Sequence, residues 1–534
     1  MNRNYKNILI ILFCAIVIML PMFLTDYHSG HDTGFHIANV ISLKEQLQSD
    51  NINANIVGNI ANNFGYGTRL FYPPLAHSVV AYTSLLSNLD VLISFKIVYL
   101  ICLFLSGVSL YFLSLRLSKS KKIALVSAII YMAFPYHISD IYIRDALAET
   151  FLFVFLPLIF LALTYLFENK KLFYLLFISG YVGGILSHFT LMIYFTLFLI
   201  PFFVINKKKV FKRDSLIALI TSAVVILLIT LPFFVTMFEH KLLGNYAVFL
   251  PEHMAGGIWW AARNPFDYIN IFKNFNTNNI KYYLDIVTMI LLAITLKNHK
   301  KIKWGNYKFI IIFGLISFVL STVLFPWDIL PGILRMIQFP WRLETFVAIT
   351  ISLIAPLCLD MKKHKNIYIV VIIGLLFFGY LNTNFASKEK VNLQTFDFNS
   401  GLGWQKEYLP VNALNNQDYL FNRNNDIIIK EKGTVQVLEN KVPKLSFKID
   451  GSSIVEFPRL YYFGYVLKDE SNKKIDIYEN KYGFIEAKVD SGTYYLTYEG
   501  SMIYKVAKKL SLYTFILSLI FLISWRVKEW KKLV

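Results

Sequence analysis

The sequence predicts a polytopic all-α membrane protein of about twelve spans, with a small β-sandwich inserted before the last span. Three observations carry this. Of 534 residues, 56% are hydrophobic and 16% charged, whereas soluble domains hold about 25% charge. Apolar runs of about 20 residues recur, the length needed to cross roughly 30 Å of hydrocarbon with every backbone group satisfied inside a helix. Between residues 384 and 508 those runs give way to Asn, Lys and Asp with period-two alternation.

The apolar runs place spans near 7–24, 91–115, 121–137, 149–167, 172–187, 189–205, 214–237, 283–296, 306–325, 342–359, 367–383 and 509–525. The first follows Arg3 and Lys6, has no small-residue cleavage site, and reads as a retained signal anchor. Basic residues then gather between alternate spans: Arg116 to Lys122, Lys170 and Lys171, Lys207 to Arg213, Lys297 to Lys308, Lys362 to Lys365, and Arg526 to Lys532. Basic loops stay on the cytoplasmic side, so both termini are expected there. The long segments 25–90, 138–148, 238–282, 326–341 and 384–508 then face outward. Residues 75–88 are apolar, but counting them as a span would reverse every later loop, so they read as an interfacial helix.

The chain divides into a transmembrane domain over 1–383, with a large first outer loop, an extracellular β-sandwich over 384–508, and a final helix with a basic tail over 509–534. Strands are expected at 434–438, 444–450, 475–479 and 493–498, with Asp450-Gly451 and Ser491-Gly492 as turns. The formal charge of +19 would suggest nucleic acid in a soluble protein. Here 25 of the 53 Lys and Arg residues, against four of the 34 acids, sit in the loops and termini read as cytoplasmic, so the excess reports topology and no nucleic-acid partner. Cys14, Cys102 and Cys358 all lie in apolar runs and offer neither a disulfide framework nor a zinc site.

Candidate chemistry lies at the outer ends of spans, where charge is costly unless solvated, paired or used. In Gly30-His-Asp-Thr-Gly-Phe-His36, Asp32 could take a proton from an acceptor hydroxyl, or join His31 and His36 around a divalent cation; a solvated loop with Asp32 as a helix cap weighs equally. Asn63 to Pro74 presents Arg69 and Tyr72 from a Gly- and Pro-fixed course, or is a turn into the interfacial helix. In Tyr142 to Glu149, Asp145 and Glu149 fall on one helical face and suit a helix N-terminus, while Arg144 suits a phosphate better than a helix dipole there. Arg342 in Gln338-Phe-Pro-Trp-Arg-Leu-Glu344, with Arg335 before it, is a phosphate ligand or an interfacial anchor. His188 lies between two spans, and Glu239 with His240 at another outer end, where a structural role is the ordinary one.

GHDTGFH, NFGYGTRLFYPPL, FPYHISDIYIRDALAE, LSHFT, QFPWRLE and EYLPV occur in that order. Together they resemble the bacterial 6-pyruvoyl-tetrahydropterin-synthase-related multispan membrane proteins, and through them the GT-C superfamily of glycosyltransferases, which use polyprenyl-phosphate sugars outside the cytoplasm. Nothing in the chain supports pterin chemistry. The resemblance implies a GT-C-like transmembrane domain and a catalytic acid in the first outer loop, a position that Asp32 matches. It makes Arg144 and Arg342 the cationic partners of the donor phosphate. Members commonly have Gly where this chain has Asp145, which implies a tolerated replacement and puts Glu149 ahead of it.

The expected activity is transfer of a sugar from a polyprenyl phosphate to an envelope polymer such as a teichoic acid, or to a glycolipid. Asp32 would be the base, oriented by His31 or His36, with Glu149 holding Arg144 or an optional divalent cation. Arg144, Arg342, Arg69, Tyr72 and His188 would line the donor site; any metal would fall to Asp32 and His36. The alternatives are a transporter or flippase of a lipid-linked sugar, though its ionisable groups would be expected near the midplane, and a non-catalytic envelope scaffold.

Overall fold

The computed structural model describes residues 4–49, 55–251, 253, 262–269, 280–302, 304–331, 337–361, 367–383 and 389–530. Arg3, Lys303, Arg335, Lys362, Lys363, Lys365, Lys531 and Lys532 therefore lie outside the described residues. The chain forms two compact units, one of residues 1–33, 92–227 and 255–392, the other of 34–91, 228–254 and 393–534.

Every expected span coincides with helix. Among the described residues, six helical segments are long and apolar enough to cross a membrane: Tyr5–Leu24, Val91–Ser118, Lys121–Arg144, Leu147–Tyr165, Arg213–Leu243 and Pro340–Leu359. Ile286–Lys297, Lys308–Ser321 and Ile367–Leu381 are shorter. In the first unit small residues let helices approach closely, as expected where lipid supplies no hydrophobic drive. A Cβ on Gly107 would lie 2.6 Å from Met132 Sδ and 2.8 Å from Ile11, and one on Gly180 would lie 2.6 Å from Ile159.

The segment 138–148, expected to be an outer loop, is not one. The Lys121–Ala133 helix breaks at Phe134, resumes as Pro135–Ser139, widens into a π-helical turn at Asp140–Arg144, and is followed by the Leu147–Tyr165 helix. Pro135 explains the break, since it gives no N–H and starts a new first turn. Every residue from 123 to 154 is buried. Burial is tolerated because most of its polar side chains find partners: Arg144 meets Asp140 and Glu149, Ser139 the Pro135 carbonyl and Tyr142 the Ile18 carbonyl.

In the second unit, helices Thr33–Gln48 and Leu75–Ser87 precede the strands. The link between them passes through left-handed backbone at Asn59, Ala61, Asn62 and Asn63; asparagine accepts that conformation more readily than most residues. The strands are β1 (Ile428–Ile429), β2 (Thr434–Lys441), β3 (Lys444–Asp450), β4 (Ser453–Leu460), β5 (Tyr465–Asp469), β6 (Lys474–Ile475), β7 (Tyr478–Glu479), β8 (Phe484–Val489) and β9 (Gly492–Tyr498). They form two antiparallel sheets, ordered β1-β4-β8-β7 and β2-β3-β9-β5-β6. Phe447 of one sheet meets Phe457 of the other at 5.3 Å between ring centres. The strand expected at 475–479 divides at Asp476-Ile477, and its halves enter different sheets. The helix Met502–Trp530 completes the chain's described part.

Candidate functional site

The first unit gathers Asp32, Arg144, Glu149, Arg342 and His188 around the π-turn. Arg144 is its centre. Its side chain is 4% exposed, and its Nη1 donates to Asp140 Oδ1 at 2.7 Å, to Glu149 Oε2, and to Tyr136 Oη at 3.3 Å. Its Cζ lies 4.4 Å over the Trp341 ring, a cation–π contact in a desolvated setting. Its Nη2 is 3.6 Å from Asp32 Oδ2, and that carboxylate is 42% exposed. A fixed cation thus stands beside an accessible acid.

Backbone fit sets this distance. His31 N donates to the Ile143 carbonyl at 3.2 Å and Asp32 N to the Arg144 carbonyl at 2.7 Å. Gly30 makes the approach possible, because a Cβ there would fall 2.9 Å from the Ile143 carbonyl oxygen and the Arg144 carbonyl carbon. Asp145 closes the latch: it accepts hydrogen bonds from Tyr27 Oη at 2.7 Å, Thr33 Oγ1 at 2.6 Å and Tyr99 Oη at 2.5 Å. Its φ of 57° lies in the left-handed region, where glycine is the ordinary residue and aspartate among the few others admitted. Position 145 thus suits the Gly of the family pattern, and the carboxylate adds a threefold anchor.

Arg342 is set differently. Its Nη1 donates to the Ile337 carbonyl at 3.3 Å and to Gln338 Oε1 at 3.2 Å, while its Nε lies 3.9 Å from Glu149 and makes no hydrogen bond among the described residues. That Nε is itself buried, but the side chain as a whole is 16% exposed, so of the two arginines Arg342 has the greater access. His188 caps the Phe189–Phe198 helix by accepting from Leu191 N at 3.4 Å, and its imidazole feels the charges of Arg342 and Glu149. A further buried pair, Arg263 with Glu344, adjoins through aromatics: Arg263 Cζ lies 3.6 Å over Tyr282, which stacks on Tyr136 at 6.3 Å.

Of the other expected site residues, His31 belongs to the first unit and His36, Arg69 and Tyr72 to the second. His36 Nδ1 lies 2.8 Å from His77 Nε2, with Tyr72 stacked on His77 at 5.3 Å. Arg69 hydrogen bonds Ser78. The His31 side chain is exposed. Among the described residues no three His, Cys, Asp or Glu side chains are grouped so as to hold a metal ion.

Asp140, Tyr27, Tyr99, Tyr136 and the Trp341 platform escaped the sequence reading. Asp140 precedes Arg144 by four residues, the spacing of a helical ion pair, and was the one signal available.

With this geometry in view, the family described as "6-pyruvoyl-tetrahydropterin synthase related domain; membrane protein" matches residues 70–386. The chain belongs to that family. The matched stretch carries Asp140, Arg144, Asp145, Glu149, His188, Trp341 and Arg342, and Asp32 precedes it. An uncharacterized protein of Lactococcus lactis subsp. cremoris is 25% identical, over 98% of this chain and 95% of its own length. Among solved structures, ArnT from Cupriavidus metallidurans bound to undecaprenyl phosphate aligns over 67% of this chain at 13% identity with a TM-score of 0.44. The chain spans 60% of ArnT's length.

Proposed function

We propose that this membrane protein is a GT-C-type glycosyltransferase that moves a sugar from a polyprenyl phosphate to a hydroxyl of an envelope polymer or glycolipid on the extracytoplasmic face. The observation that carries the reading is Asp32, an accessible carboxylate held 3.6 Å from a guanidinium that is itself buried and fixed. A general base must reach the proton it abstracts, and Asp32 has that access. Arg144 stands beside Asp32, with Asp140 and Glu149 fixing the guanidinium from behind. Arg342 serves the donor: its partial exposure suits its guanidinium to the phosphate that departs when the sugar C1–O bond breaks. The acceptor oxygen attacks C1 as Asp32 takes its proton, and the anomeric centre inverts. His31 and His188 remain proposed contributors to acceptor and donor binding.

Carboxylates outnumber guanidiniums around Arg144, so the cluster does not attract an anion by net charge. Recognition rests on the placed Arg342 donor and on burial of the lipid, which this reading puts between spans. The reading is tested in a host whose own copy is deleted. The intact chain restores sugar on an envelope polymer, and Asp32→Asn, inserted at the same level, does not. Full restoration by that variant sinks the proposal.

A further inference from the structure

In the first unit the run Lys207-Lys-Lys-Val-Phe-Lys-Arg213 leads from one apolar helix, Phe189–Ile205, into the next, Arg213–Leu243. The turn it makes is fixed. Lys209 N donates to the Asn206 carbonyl at 2.8 Å and Phe211 N to the Lys207 carbonyl at 3.0 Å. Asn206 Nδ2 ties back to the Phe202 carbonyl at 2.9 Å, and Val210 is buried. Held this way, the turn directs its bases outward: Lys207, Lys208, Lys209, Lys212 and Arg213 are all exposed, and none forms an ion pair among the described residues. Lys170 adds a sixth base at one edge, where its Nζ donates to Ser215 Oγ at 3.3 Å. Asp214 is the one acid from 206 to 214, and Glu168 is taken by Arg116.

Phe211 stands in the middle of this run at 72% exposure, and the helices on either side expose Val204 and Ile220, each at 62%. A solvated basic loop accounts for the lysines but leaves an aromatic ring in water at a cost. A membrane surface accounts for both, since anionic headgroups attract clusters of Lys and Arg beside a span while an aromatic ring enters at headgroup level. The other basic stretches lack the combination. Arg116 pairs with Glu168 and lies over Tyr165, Lys122 lies over Tyr368, and Lys297 to Lys301 contain three lysines and no Phe, Tyr or Trp.

We propose that the Lys207–Arg213 turn is a binding site for an anionic membrane lipid, with its cations on the lipid phosphate and Phe211 among the acyl chains. The site uses no residue of the Asp32 cluster and does not depend on the glycosyltransferase reading. The full-length protein in neutral detergent is offered phosphatidylglycerol, phosphatidylcholine or inorganic phosphate, with lipid retention read by native mass spectrometry and folding by melting temperature. The wild type should retain phosphatidylglycerol over phosphatidylcholine. Lys208→Gln should lower that preference about fivefold, and Lys207→Gln with Lys208→Gln and Lys212→Gln by more than about tenfold, the scale set by each cation at an anionic surface. Phe211→Ser should weaken retention of both lipids. All four side chains are exposed, so these variants should melt like the wild type. Lys297→Gln with Lys300→Gln and Lys301→Gln removes the same charge elsewhere and should leave the preference unchanged. Equal retention of the two lipids by the wild type, an equal loss from the two triple variants, retention untouched by Phe211→Ser, or full displacement of phosphatidylglycerol by inorganic phosphate would overturn the lipid site.

Discussion

Asp32 owes its place to neighbours with no chemistry of their own. Gly30 is required by contact, so Gly30→Ala should push the loop off the Ile143–Asp145 backbone and cost about 1–3 kcal/mol, as overpacking does. Denaturant unfolding in detergent reads that loss; wild-type stability would show that the loop moves freely. Asp145 separates two effects at one position. Asp145→Gly and Asp145→Ala both strand three buried hydroxyls, but only alanine also strains a φ of 57°. Alanine should therefore be less stable than glycine by about 1 kcal/mol, and equal losses would remove the backbone argument. The sequence made Asp32, Arg144 and Glu149 visible through residue type and family pattern. Asp145 looked dispensable because its worth lies in Tyr27, Thr33 and Tyr99, which only folding brings to it.

At the scale of elements, polar residues misled where they satisfied one another. Arg144 and Asp145 made 138–148 look like a solvent loop, whereas Arg144 pairs with Asp140 and Glu149, and Asp145 accepts from Tyr27, Thr33 and Tyr99, so the π-turn can be buried. Lys444–Asp450 was legible because its buried and exposed residues largely alternate; β4 was missed because Glu456, Pro458 and Arg459 hide a strand that is buried along almost its whole length. The helix Leu75–Ser87 offers a pH test. Burial, aided by the nearby His36 and Arg69 charges, holds His77 well below the usual imidazole range. The unfolded chain takes up a proton near pH 6.5 that the folded one refuses. Stability should therefore be full above that pH and fall as pH drops below it, by up to about 1.4 kcal/mol per unit. Melting curves between pH 8 and pH 5 check this, and His77→Gln should flatten the slope; an unchanged slope would assign the acid loss elsewhere.

For the whole molecule, the charge distribution makes a sidedness prediction. In a background with Cys14, Cys102 and Cys358 replaced, Ser471→Cys should react with an impermeant maleimide on intact cells and Lys208→Cys should not. Both positions are exposed, so access depends on the side of the membrane; labelling of Lys208→Cys alone would invert the topology and with it the site. The central claim is narrower, that one accessible carboxylate beside a fixed arginine removes the acceptor's proton while Arg342 holds the donor. Its most direct measurement is a single-turnover assay of the purified protein with labelled polyprenyl-phosphate sugars and envelope acceptor, run alongside donor binding. Asp32→Asn should bind donor like the wild type and transfer about a hundredfold less sugar or lower still, the scale of a lost general base, while Arg342→Gln should weaken donor binding. Transfer at the wild-type rate by Asp32→Asn would contradict the account.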